Sequence, residues 1–266
     1  MNSPGASRRL RPKALCQSFP PKAELPTTDR HSMSRIDAYF DRGGRVRRPP
    51  YGRLWREVFS FVFEFPKAPD PSEFAAGRGH VVLVIPGFLT PDLFTYPLRR
   101  FLTNCGYRAL GWGMNVNFGP TPRLLAGLER RFQECRAIAG GPISVIGVSL
   151  GGLFARNLAF EHPGDIRQVI TLVSPYRLPT ASTIEPLVRM CAPFFSDEID
   201  VHRLATPLPV PSTSVFTRED GLVAWETCRS EEADGMQVEV LGKHVTICRN
   251  PAALRTVGRR LAEVRA

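Results

Sequence analysis

Apolar residues along this chain fall into short unbroken runs, separated by longer stretches where they recur every three or four positions. His80-Val81-Val82-Leu83-Val84-Ile85 is nearly continuous in apolar character, the pattern of a strand covered on both faces. Pro86-Gly87-Phe88 breaks the run, and residues 93–104 read as a helix. Residues 107–112 predict a second strand and 123–138 a long amphipathic helix. A third strand over 143–148 feeds directly into a helix over 150–160, and 168–173 is a fourth strand. Residues 212–217 and 236–241 restore the strand pattern before a closing helix over 251–264. Alternation of this kind implies an α/β fold, with a mostly parallel, doubly wound sheet and helices on both sides.

Two segments depart from the rhythm. Prolines at 175, 179, 186, 193, 207, 209 and 211 interrupt it, and a stretch of that length between core strands predicts a short cap or lid over 175–211. Residues 51–65 are strongly apolar, with Leu54, Trp55, Val58, Phe59, Val62 and Phe63 at helical spacing. Packing of this helix on the body is the favoured expectation, and peripheral docking on a membrane surface is the alternative. Pro66 is expected to end it.

Charge changes the picture at one end only. The net charge is +10, which suggests nucleic acid until it is mapped. Residues 1–56 hold 13 Lys/Arg against 4 Asp/Glu, while 57–266 hold 22 against 21. The body is thus nearly neutral, and no nucleic-acid partner is expected. Residues 1–50 read as a disordered basic tail able to touch phosphate-rich surfaces, ahead of one domain over 51–266. A start at Met33 is also compatible with the sequence, because a more globular segment opens there. No secretory signal and no uninterrupted apolar stretch of membrane-spanning length occurs, so the expectation is a cytoplasmic protein, with membrane association as the alternative. The six cysteines and five histidines are scattered without metal-ligand spacing, so no metal and no organic cofactor is expected.

The chemistry concentrates at Gly147-Val148-Ser149-Leu150-Gly151. A serine on a sharp strand-to-helix turn presents its hydroxyl at the end of the sheet, and flanking glycines let strand and helix approach closely. Such a serine needs a base, and in this arrangement the chain order is Ser, then Asp or Glu, then His. His31 and His80 come too early, His162 sits on the helix after Ser149, and His202 lies in the proline-rich insertion. His244, just past the last strand, remains. Asp220, in the loop Arg218-Glu219-Asp220-Gly221, is the preferred acid; Glu219 is its neighbour and competitor, and Asp197 and Asp200 are remoter ones. The backbone N–H of Leu150 and that of Phe88 are the expected oxyanion donors, with Leu89 as the alternative to Phe88.

Ile85-Pro86-Gly87-Phe88, Gly147-Val148-Ser149-Leu150-Gly151-Gly152, Thr217-Arg218-Glu219-Asp220-Gly221 and His244 with Asn250-Pro251 together resemble the lipase-like α/β-hydrolase superfamily. More narrowly they look like bacterial esterases distantly similar to triacylglycerol lipases. The resemblance covers residue 80 to the C-terminus; it departs at Pro86-Gly87, where many lipases have His-Gly. It implies a Ser149–Asp220–His244 triad, an acyl-enzyme intermediate and hydrolysis of carboxylic esters. The apolar cap residues Ile184, Leu187, Val188, Met190, Phe194 and Phe195 point to a hydrophobic, acyl or lipid substrate. Acyl transfer, or thioester or amide hydrolysis, would use the same triad. A non-enzymatic interaction protein on the same scaffold is the reading from another class.

Overall fold

The structure is a computed structural model that describes residues 48–74, 76–229 and 235–263. The expectation of a disordered tail lies outside these residues, apart from residues 48–50.

The sheet has six strands, all parallel: β1 (Val81–Ile85), β2 (Arg108–Gly111), β3 (Ile143–Val148), β4 (Ile166–Leu172), β5 (Ser212–Phe216) and β6 (Met236–Glu239), in the spatial order β2-β1-β3-β4-β5-β6. Every residue of β1 and β3 is buried, as their unbroken apolar runs require of strands covered on both faces. Alternate residues serve opposite layers. Leu83, Ile85, Val145 and Val169 pack with α3 (Pro122–Ala139) and α4 (Leu150–Glu161). Val82, Val84, Ile146 and Val215 pack with α2 (Tyr96–Asn104) and α6 (Pro251–Glu263). Local chemistry sets the helix ends. Thr121 accepts from the Leu124 N–H ahead of Pro122, and α3 stops at Gly140, whose φ is 67°.

The connection between β4 and β5 carries α5 (Glu185–Cys191), a 3-10 turn (Ala192–Phe194) and one turn of helix (Val201–Leu204). Its second half is anchored: Ile199, Val201, Leu204 and Val210 join the core beside α3 and α4. The buried Arg156 guanidinium donates to the Leu204 and Thr206 carbonyls at 2.7 and 2.5 Å. Its first half turns Leu187, Met190 and Phe194 outward.

The helix over residues 51–65 forms as α1 (Gly52–Phe63), but it packs in the opposite sense to the one the sequence favours. Its buried residues are Glu57 and Ser60, while Trp55, Val58, Phe59, Val62 and Phe63 are all exposed. The physical reason lies in the loops beneath it, whose free backbone N–H groups need an acceptor. Among the described residues no helix is long and apolar enough to cross a membrane.

Candidate active site

Ser149, Asp220 and His244 all leave the carboxyl edge of the sheet, from β3, β5 and β6 in turn. Ser149 is partly exposed and sits at φ 51° and ψ −122°, strained for a residue with a Cβ. Close approach forces the turn. A Cβ on Gly147 would meet the Gly151 carbonyl, and one on Gly151 would meet the Ile85 carbonyl oxygen. Two more non-glycine residues at this edge share the strain, Leu89 at φ 55° after β1 and Val173 at φ 46° after β4. Ser174, buried beside Val173, donates its hydroxyl to the Ser149 carbonyl at 2.6 Å and fixes the elbow from below.

The acid and base loops pair residue by residue. Asp220 Oδ2 lies 2.8 Å from His244 Nδ1, and the adjacent Glu219 carboxylate accepts from Lys243 Nζ at 2.6 Å. Lys243 holds Glu219 below the usual carboxylate range and ties it up, so Asp220 is the residue that meets the imidazole. Asp220 Oδ1 accepts the Leu222 and Val223 N–H groups, each at 2.8 Å, and the side chain is buried. An ionised carboxylate is acceptor-only, so His244 Nδ1–H donates to it and leaves Nε2 as the free lone pair. Burial lowers the His244 pKa. The Asp220 charge, its hydrogen bond and the Glu57 charge together outweigh burial, and the net shift is upward. Among the described residues no hydrogen bond joins the Ser149 hydroxyl to His244.

The predicted oxyanion donors can be separated. Leu150 opens α4, where first-turn N–H groups lack helical acceptors. On the loop after β1, the Leu89 N–H donates to the Asn117 carbonyl at 2.7 Å, whereas the Phe88 N–H makes no backbone hydrogen bond among the described residues. Leu89 is therefore spent and Phe88 is open. A Cβ on Gly87 would stand 3.1 Å from Ser149 Cβ, so this loop runs against the serine.

The other residues weighed from sequence lie elsewhere. His80 bonds the Ser144 hydroxyl at 2.9 Å, and burial, aided by Arg167, lowers its pKa to about 4. His162 bonds Glu129 at 3.0 Å. Asp200 caps the Val201–Leu204 turn and His202 is exposed on it. Asp197 is exposed. His31 falls outside the described residues. Cys105, Cys135, Cys228 and Cys248 are buried free thiols, with Cys105 pushed up to about 11 and Cys248 to about 12 by burial, so they stay protonated at neutral pH.

No family model matches the chain, and no curated protein is detectably similar to it. Solved structures are. Aspergillus fumigatus lipase B superposes with a TM-score of 0.53 at 14% identity, over 74% of this chain and 56% of that one. An α/β superfamily hydrolase from Oenococcus oeni gives 0.51 at 14%, over 69% and 92%. A Bacillus licheniformis lipase gives 0.50 at 13%, over 73% and 94%. This chain has the α/β-hydrolase fold.

Against that hydrolase scaffold, three residues that sequence reasoning passed over hold the site together. Glu57, fully buried under α1, accepts three backbone N–H groups: Gly221 at 2.7 Å, His244 at 3.2 Å and Val245 at 3.0 Å. It bridges the acid loop to the base loop. Asn117, also fully buried, donates to the Pro86 carbonyl at 2.8 Å and accepts from the Gly119 N–H at 3.1 Å, pinning the loop that carries Phe88. Ser174 is the third. The one available signal was for Glu57, a lone acid within an apolar helical run. Asn117 and Ser174 had none.

Proposed function

We propose that this protein is a serine hydrolase that cleaves carboxylic esters with apolar acyl groups. One observation carries the reading: a serine kept at positive φ, between a buried strand and the helix after it, is strain that a purely structural turn would relax with glycine or asparagine. The buried Asp220–His244 pair on the same edge supplies the matching acid and base.

In this reading His244 Nε2 takes the Ser149 proton as Oγ bonds to the ester carbonyl carbon. The carbonyl electron pair moves to oxygen, and the Leu150 and Phe88 N–H groups donate hydrogen bonds to the developing oxyanion. The imidazolium so formed keeps its bond to the Asp220 carboxylate and is favoured by the Glu57 charge, then protonates the departing alcohol as the C–O bond breaks. Water then gives a proton to His244 and adds to the acyl-serine carbonyl; as the acyl–Oγ bond breaks, His244 returns the proton to Ser149 Oγ and the acid departs. The apolar preference draws on the surface near the oxyanion loop. Phe118, 53% exposed, follows Asn117, and Phe195 packs against Gly119. Phe194, 71% exposed, stands on the adjoining cap segment.

Hydrolysis of p-nitrophenyl esters graded in acyl length tests the reading. Turnover that vanishes in both Ser149→Ala and His244→Ala is the expected result; turnover surviving in either variant contradicts it. Added methanol separates the acyl-transfer alternative, by diverting the acyl group to the methyl ester.

A further inference from the structure

We infer that the outer face of α1 is a docking surface for an anionic phospholipid bilayer. The helix presents Trp55, Val58, Phe59, Val62 and Phe63 to solvent, each between 50 and 78% exposed. At 100° per residue these five, with Tyr51 at the N-cap, fill one continuous arc, opposite the arc that buries Glu57 and Ser60. A helix packed in this sense is the reverse of one that seals a core, and it leaves an unbroken apolar ridge.

Charge decides what covers the ridge. On the helix itself Arg53 turns to the body and donates to the Arg218 carbonyl at 3.3 Å, Glu57 points inward, and the exposed Arg56 and Glu64 offset each other. The basic excess comes from the chain that leads into α1, where positions 1–52 hold 11 Lys/Arg against 4 Asp/Glu. An apolar ridge satisfies the acyl boundary of a bilayer, and a basic flank satisfies anionic headgroups; stable peripheral attachment requires two such signals together. Tyr51 and Trp55 are the residue types that favour the headgroup level. A protein partner's apolar groove would use the ridge but not the excess charge.

The placement also bears on the site. The inner face of α1 holds the loops of Asp220 and His244 through Glu57, and Phe61 stacks on Phe94 with ring centroids 6.2 Å apart. Docking on this face therefore puts the carboxyl edge of the sheet at the lipid surface. The docking inference itself does not rest on the proposed hydrolysis.

The test is flotation of the full chain with vesicles of phosphatidylcholine alone, or with about one-third phosphatidylglycerol. The wild type is expected to float with the anionic vesicles, and to release in about 0.5 M salt. Its tryptophan emission should shift to the blue on binding. Trp55→Phe should abolish that shift, because Trp112 is fully buried and Trp225 is stacked on Phe216. The double variant Phe59→Glu/Phe63→Glu alters only exposed residues, so it should melt normally and turn over a soluble acetate ester within about twofold of wild type. Its vesicle partitioning should fall at least about tenfold. Ser149→Ala should bind as wild type does, so a failed hydrolase reading would leave vesicle binding intact. A folded wild type that ignores both vesicles overturns the inference, and so does undiminished binding by the double variant. Two other occupants would also overturn it: a dimer that the double variant dissolves, or a face that binds vesicles only after deletion of residues 1–47.

Discussion

Replacing Glu57 by glutamine changes almost no volume but removes one charge and one acceptor from beneath the acid and base loops. The carboxylate accepts from Gly221, His244 and Val245, and none of its surface reaches solvent. An amide can accept only through its oxygen, so in either orientation at least one backbone N–H faces an NH2 group. Leaving a buried donor unsatisfied costs about 1–3 kcal/mol, more where the lost partner was charged. A loss of about 2–4 kcal/mol follows, which for a domain of this size lowers Tm by about 5–15 °C. The charge acts separately on His244. Glu57 is one of the groups that raise the His244 pKa, so its neutralisation moves that pKa down. The proposed mechanism requires neutral His244, so the acid limb of kcat/KM should move to lower pH in Glu57→Gln, while the plateau falls because the imidazolium formed in the transition state loses a counter-charge. A pH–rate profile on a soluble ester, read beside a thermal melt, checks both. Wild-type melting together with an unmoved acid limb would rule out both roles for the Glu57 carboxylate. A lower Tm with an unmoved limb would leave Glu57 a purely structural clamp.

Further outcomes follow from the same geometry. The raised native pKa of His244 means the folded state holds a proton more tightly than the unfolded chain does. Its contribution to stability is therefore full below the ordinary histidine range and is lost as pH rises through the native pKa, a slope that denaturant melts of His244→Ala should lack. Asn117→Ala frees the Pro86–Thr90 loop and should lower kcat by about 10- to 100-fold with little change in KM, measured on p-nitrophenyl acetate. Gly151→Ala drives a Cβ into the Ile85 and Pro86 carbonyls and should destabilise by about 3 kcal/mol or more in urea unfolding. Phe194→Asp, at a 71% exposed position, should reduce turnover of long-chain esters more than of acetate esters; equal losses would remove the acyl-binding role of the cap.

The strand and helix periods carried the fold, because β1 and β3 are buried throughout and read as continuous apolar runs. The Ser149 elbow was legible for a similar reason: glycines at 147 and 151 mark a contact that leaves no room for a side chain. The candidate acid was narrowed by sequence, but only three-dimensional pairing distinguishes Asp220 from Glu219, since Lys243 occupies one carboxylate and His244 the other. The choice between Phe88 and Leu89 likewise turned on where the Asn117 carbonyl falls, which no local pattern encodes. For α1 the periodicity was right and the direction wrong. Apolar spacing states that one face is apolar but not which face meets the protein, and here three backbone donors drew Glu57 inward instead.

In the proposed mechanism Ser149 is a nucleophile activated by His244. Intact-mass analysis after reaction with a fluorophosphonate probe tests it most directly. One covalent adduct is expected, mapped to Ser149, absent in Ser149→Ala and formed far more slowly in His244→Ala. A folded wild type that takes up no probe, or takes it up equally in both variants, would contradict it.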